Sequence, residues 1–322
     1  MKILLNGLIF IFSSAVAFGQ TIQVTGVVDN QKGQPVPYAF VRDAQHNYAT
    51  FADSAGSFSL KADPSSSLRI AANGFQENTL KIDNRANIDV TLSAGQSEGT
   101  VVSMKALKQT VDAEFLHAQG LLFGGDASQQ QVKSGFVQEP TKGSRYLFSD
   151  WVPGFGINKN DSLVAELSYL YNYDKISGNI MYTNDGRSMS AVSNSQIKSF
   201  NLFDKFGNKH VYEQAPAIGD EAFVEVLLNT PKYKIYKKIE TKLVRADFHT
   251  DGVVEVGHRY DEYVDNEHYY FVGADGKKKS ISLRKNTLKK LMGGDADAFI
   301  ASQGSRDVDE EYVKDLGASL AK

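Results

Sequence analysis

From Thr21 to Leu92 the chain is broken into short β-prone runs, IQVTGVV, PYAFVR, YATFA, SFSLKA, LRIAA, TLKI and IDVTL, recurring every eight to twelve residues. Such spacing predicts an all-β sandwich. Val24, Gly26 and Val28 alternate with Thr25 and Val27, and Phe58 and Leu60 alternate with Ser57 and Ser59. One face of each strand can therefore be buried. Asp29-Asn30-Gln31-Lys32-Gly33 and Asp53-Ser54-Ala55-Gly56 combine side-chain acceptors with a residue free to take positive φ, which makes both of them turns. Pro35 and Pro37, which flank Val36, lack the N–H that a central strand donates, so this stretch is expected to begin, or lie just before, an edge strand.

The pattern G-V-V-D, then G-Q-P-V-P-Y-A-F-V, D-S-A-G-S-F-S-L and L-R-I-A-A-N-G-F resembles the carboxypeptidase regulatory-like domain, a transthyretin-like sandwich. Asp53, Gly56 and Phe58 match that family's Asp-x-x-Gly-x-Phe turn, and Gly74 and Phe75 match its late Gly-aromatic pair. The resemblance spans residues 22 to 93 and implies a structural and binding module of Gram-negative envelope proteins. It brings no zinc chemistry and no catalytic residue.

The first residues, MKILLNGLIFIFSSAVAFGQ, carry one charge at Lys2 and an apolar run interrupted by Asn6, Gly7, Ser13 and Ser14. This reads as a secretory signal over residues 1–19, with small residues Ala17 and Gly19 ahead of cleavage before Gln20. No later window reaches the ~18 consecutive apolar residues of a membrane-spanning helix. The chain has no cysteine, which removes disulfides, thiolate metal sites, a thiol nucleophile and a lipidated cysteine. With 35 basic and 38 acidic side chains and a net charge of −3, no overall field draws it to nucleic acid. An exported protein of the periplasm, the outer-membrane surface or the extracellular space is the expectation.

After residues 20–93, the polar run SAGQSEGT opens a connector over 94–145. Within it Met104, Leu107, Val111, Phe115 and Leu116 have helical spacing, and GGDASQQQVKSG reads as a loop. β patterning returns from Tyr146 with LVAELSYLY, ISGNIMY, SMSAV, IKSFNLF, KHVYE, AFVEVLL, YKIYKKI, TKLVRADF, HYYFVG and SISL. Short links such as Asn184-Asp185-Gly186 and Asp275-Gly276 favour an antiparallel meander over 146–285, as a rolled sheet or small barrel. Residues 286–322 read as short helices, the last capped by Asp307 or Asp309. The overall class is mainly β. Tyr269, Tyr270, Phe271, Gly276, Lys277 and the Leu288-Lys289-Lys290-Leu291 helix resemble a group of uncharacterised extracytoplasmic bacterial proteins.

Four constellations offer chemistry. His210-Val211-Tyr212-Glu213 has the His-x-x-Glu spacing of zinc carboxypeptidases, but on a strand His210 and Glu213 face opposite sides. The run from His258 to His268 gathers four carboxylates and two imidazoles in eleven residues. Asp261 and Asp265 are its candidate Ca²⁺ ligands, although the run lacks calcium-loop order and reads as a solvated loop. Lys232, Lys234, Lys237, Lys238 and Lys242 with Tyr233 and Tyr236 form either a basic aromatic strip for glycan or polyanion, or an edge strand guarded by lysines. Trp151, the single tryptophan, either fills the second core or offers a stacking platform to sugar rings. The expectation is a non-enzymatic protein without a cofactor. Its ligand is an envelope protein or a glycan, engaged through Trp151, Tyr233, Lys234 and Tyr236 if through any of these. A zinc peptidase is the least favoured alternative. The export reading predicts that intact mass of the chain recovered from its native envelope corresponds to a start at Gln20; full-length chain in the cytoplasm would contradict it.

Overall fold

The computed structural model describes residues 21–95, 108–109 and 140–320, except 185, 187, 220, 221 and 252. The expected signal and most of the connector, including its loop, lie outside the described residues. Lys108 and Gln109, within the stretch expected to be helical, instead form a strand.

Seven strands build the first module: β1 (Ile22–Asn30), β2 (Phe40–Asp43), β3 (Ala49–Phe51), β4 (Ser57–Ala62), β5 (Ser67–Ala71), β6 (Asn78–Lys81) and β7 (Val90–Leu92). They form two sheets, in the orders β4-β1-β7 and β3-β2-β5-β6. β1 runs antiparallel to β4 and parallel to β7. Inward residues of both sheets, among them Val24, Val28, Val41, Phe58, Leu68 and Ile70, share one core. The strict alternation of β4 follows from its sequence, with Phe58 and Leu60 buried and Ser57 and Ser59 exposed. The turn before it works through Asp53, whose Oδ1 accepts the N–H groups of Ala55 at 2.8 Å and Ser57 at 2.9 Å. Gly56 takes φ 74° there, and a Cβ on it would stand 2.6 Å from the Val28 carbonyl oxygen. Pro35 and Pro37 precede β2, which lies inside its sheet between β3 and β5. Both prolines lie outside β2, and the bridge of Pro35 to Asp29 is made by the N–H groups of Asn30 and Val36, so no ladder donor is lost.

The second module has an antiparallel sheet of eight strands in the linear order β10-β9-β14-β15-β16-β17-β20-β21. These are β9 (Gly154–Asn158), β10 (Leu163–Val164), β14 (Ile197–Phe203), β15 (Lys209–Gln214), β16 (Phe223–Asn229), β17 (Lys234–Val244), β20 (Glu262–Val272) and β21 (Lys278–Ile281). A smaller sheet comprises β8 (Lys108–Gln109), β11 (Leu170–Asp174), β12 (Asn179–Thr183) and β13 (Ser190–Val192). Between β17 and β20 stands a hairpin of β18 (His249–Asp251) and β19 (Val254–Val256). Three helices end the chain, α1 (Lys285–Met292), α2 (Gly294–Ser302) and α3 (Glu310–Leu320). Asp309 caps α3 by accepting the Tyr312 N–H at 2.7 Å, satisfying one of the donors a helix start leaves open. Among the described residues no helix is long and apolar enough to cross a membrane.

Two coverings share one face of the large sheet. The small sheet supplies Tyr171, Tyr173 and Ile180 against Phe200, Tyr212 and Phe223. The helices supply Leu288, Met292 and Leu316 against Leu227, Ile235 and Phe271. Beyond its paired span with β16, β17 continues with β20 as an eleven-residue ribbon.

The two modules meet through aromatic rings. Phe40 of β2 and Phe51 of β3 point away from the sandwich core onto Phe155 of β9 and Phe203 of β14. Ring centroids are 5.9 Å apart for Phe40–Phe155 and 5.3 Å for Phe51–Phe203, both edge-on, an arrangement the ring quadrupoles favour. Asn73 Nδ2 donates to the Leu167 carbonyl at 3.0 Å at the rim. All four phenylalanines are at most 6% exposed. Phe58→Ala is expected to cost about 3–5 kcal/mol of stability, as large-to-small core changes do, read from the denaturant midpoint. Phe203→Ala removes the ring shared by both modules, so calorimetric unfolding should go from one transition to two.

Candidate functional site

Strand register assembles a polar row on the covered face of the large sheet. Tyr212 stands opposite Glu225, Glu225 opposite Lys237, and Lys237 opposite Tyr269. Along β16 the row marks a boundary, because Phe223 belongs to the core under the small sheet and Leu227 to the core under the helices. Glu225 between them is 3% exposed.

Burying a carboxylate is costly unless opposite charge and hydrogen bonds replace the lost water. Glu225 Oε1 lies 3.0 Å from His210 Nδ1 and 3.1 Å from Lys314 Nζ, which α3 lowers onto it. Burial alone would push the Glu225 carboxyl up, but His210 and Lys314 together outweigh it and hold the group below the usual carboxylate range. Next in the row, Lys237 Nζ is 2.7 Å from Glu267 Oε1 and 2.6 Å from Glu310 Oε1. Burial works against its charge, yet the two carboxylates keep the Lys237 pKa above its ordinary value. The Tyr269 hydroxyl stands 2.9 Å from both Glu267 Oε2 and Glu310 Oε1 and can donate its one proton to either. Farther out, Asp265 accepts from Thr241 Oγ1 at 2.5 Å and from Lys175 Nζ at 2.6 Å, which ties the small sheet to the ribbon. A recess of about 410 Å³ opens beside the row, walled by Tyr269, Leu283, Val308 and the first residues of α3.

His210 and Glu213 stand on opposite faces of β15. His210 is bracketed by Glu225 and by Asp204, whose Oδ2 is 3.8 Å from Nε2, with the Phe148 ring edge-on at 5.3 Å. Glu213 instead receives Lys234 Nζ at 2.7 Å and the Tyr236 hydroxyl. Asp261 accepts the Ala246 N–H and Arg245 Nη1, each at 2.8 Å. Among the described residues no group of three or more His, Asp or Glu side chains is placed to hold a metal ion. The acidic run expected as a loop lies mostly within β20, where alternation divides its side chains between two faces.

The basic aromatic strip does not assemble. Tyr233 packs toward the helices, its ring 5.8 Å from Phe271 and its hydroxyl 2.9 Å from Asp295 Oδ2. Tyr236 points to the other face and is 4% exposed, with Lys234 beside it on Glu213. β17 is not an edge strand over Lys234–Lys237, since β16 and β20 flank it. Trp151 does not fill the second core, because its neighbour Val152 takes that place. Trp151 is half-buried, its ring 6.2 Å from Tyr146.

Glu225, Glu310 and Lys314 escape a sequence reading. Their association depends on strand order and on a helix 89 residues away. The one sequence signal is a charge in the middle of AFVEVLL, an otherwise apolar strand. Compared with known protein families the chain matches none, and among curated proteins it has no match.

The folded pKa of Glu225 lies below its unfolded value. Its contribution to stability is therefore complete above the unfolded value near ~4.3 and disappears as pH falls through the folded one. Glu225→Gln should lower stability at neutral pH by about 1–3 kcal/mol, the loss of hydrogen bonds to a charged group. The same variant should also flatten the acid limb of the stability curve, measured by urea unfolding at pH steps from neutral to acid.

Proposed function

We propose that this is a non-catalytic, exported cell-envelope protein with a binding or scaffolding role. In this reading a carboxypeptidase regulatory-like sandwich is fixed rigidly to a second β module. The observation that carries it is that the candidate metal and acid–base residues His210, Glu213, Asp261 and Asp265 are held by partners within the fold. Glu225 and Asp204 flank His210, Lys234 and Tyr236 hold Glu213, Arg245 holds Asp261, and Lys175 holds Asp265. General acid–base work needs a group free to exchange a proton with a substrate, and nucleophilic work needs a base beside a nucleophile. A rigid pair of β modules with large surfaces suits recognition instead.

The likeness of the first module to the regulatory-like family is supported by its two-sheet, seven-strand sandwich and by the Asp53–Gly56 turn leading into Phe58. A glycan ligand is favoured by one further observation. Trp151 is half-buried beside the half-buried Tyr146, and an amphipathic ring pair of this kind can stack on the apolar face of a sugar.

The test is co-sedimentation of the purified chain with native envelope fractions, alongside reporter assays for peptide, ester and glycoside hydrolysis. The expected result is retention by the envelope fraction, no turnover, and a melting temperature indifferent to chelator. Hydrolysis that disappears in the His210→Ala variant would overturn the reading. If retention is mediated by glycan, Trp151→Ala should weaken it about tenfold, the effect of losing roughly 1.4 kcal/mol of stacking.

A further inference from the structure

The outer part of the β17–β20 ribbon carries a strand edge that the reading above does not use. β16 is paired with β17 only from Lys234 to Lys237, and β20 pairs with β17 along its whole length. From Lys238 to Val244 the other edge of β17 has no strand hydrogen-bonded to it among the described residues. Such an edge presents a row of unpaired N–H and C=O groups, a template for another strand. Lys242 is exposed, Val244 is 49% exposed, and the side chain of Glu240 is 44% exposed.

Native edges are commonly guarded by charge, so that two copies repel. Here the charges alternate in sign: the edge reads Lys238-Ile239-Glu240-Thr241-Lys242-Leu243-Val244. Laid antiparallel on a second copy about a two-fold axis at Thr241, Glu240 meets Lys242, Ile239 meets Leu243, and Lys238 meets Val244. Opposite charges at Glu240 and Lys242 and an apolar pair at Ile239 and Leu243 then face each other directly, the combinations that stabilise cross-strand contacts. An axis at Glu240 would set Glu240 against itself and Lys238 against Lys242. An axis at Lys242 would set that lysine against itself. An axis at Ile239 would set Thr241 against Lys237, where β16 already pairs, and one at Leu243 would set Thr241 against Arg245, outside β17, so of the registers free of like-charge contacts only the one centred on Thr241 uses the whole free edge.

We infer that the protein self-associates as a two-fold dimer in which the free edges of β17, from Lys238 to Val244, pair antiparallel about Thr241. The dimer joins two β17–β20 ribbons into one four-stranded ribbon, an isologous interface. The inference extends the binding reading to one surface, and its occupant is a second copy of this chain.

The experiment uses the purified chain in multi-angle light scattering across a concentration series. Wild type should be a dimer that dissociates on dilution. Lys242→Glu, which sets like charge against Glu240 of the second copy, should weaken the dimer at least about tenfold. Glu240→Lys combined with Lys242→Glu should restore it. Because the chain has no cysteine, register can be read directly. A mixture of Glu240→Cys and Lys242→Cys chains should form a disulfide-linked dimer under mild oxidation, and neither variant alone should do so. A wild type that stays monomeric at its highest soluble concentration overturns the inference, as does a mixture that cross-links no better than the separate variants. A monomer that still sediments with envelope would remove the self-pairing and leave the binding reading in place; a dimer that does not sediment would do the reverse.

Discussion

The contact of Phe40 and Phe51 with Phe155 and Phe203 is what makes one body of two β modules. Each module completes its own core, but β2 and β3 are buried on both sides because this second contact covers their outer face. A sheet buried on both faces loses the polar-out half of its alternation. This is why Phe40 stands where a solvated strand would carry a polar residue. The contact also draws neighbouring loops together, with Asn47 bonded to the Asp161 carbonyl and Asn73 to that of Leu167.

The second module depends on charge where the first depends on apolar packing. Its sheet is covered by two unrelated layers, and the junction between them is filled by Glu225, Lys237, Lys314, Glu310 and Tyr269. A seam of this kind fixes where α3 lies along the sheet, since a shift of one turn would take Lys314 from Glu225 and Glu310 from Lys237 and leave each buried charge with one partner in place of two. The module therefore gains placement as much as stability from these pairs. Two hydroxyls, that of Tyr212 in the row and that of Tyr312 in the helix core, are buried without a hydrogen-bond partner among the described residues.

The strands of the first module were legible because each carries period-two alternation bounded by side chains that close turns, as Asp53 does for β4. Strand parity likewise suffices to put His210 and Glu213 on different faces. β9 was not legible. Its sequence GFGIN carries a glycine at 154, which reads as a loop, yet a Cβ there would stand 2.9 Å from both Phe200 and Leu202. The glycine is set by what lies above it and not by its own chain direction. YKIYKKI and TKLVRADF looked like two strands because charges interrupt them, whereas β17 runs through both and its charges find partners on β15 and on α3. The acidic run read as a loop for the same reason, since its carboxylates meet Lys175, Lys237 and Arg245 only after folding. The seam at Glu225 lay beyond reach altogether, because local sequence does not encode strand order.

β1 and β7, the first and last strands of the sandwich, lie side by side and parallel, with Val28 beside Val90 and Asn30 beside Leu92. Tension applied to the two ends of this module would run along them in opposite directions. The bonds between them would then be loaded together in shear, with those from Thr25 to Ala86 and from Ile88 to Thr25 sharing the load, instead of opening one after another as a hairpin does when pulled apart. A protein tethered at one end and grasped at the other would meet its mechanical resistance at this clamp.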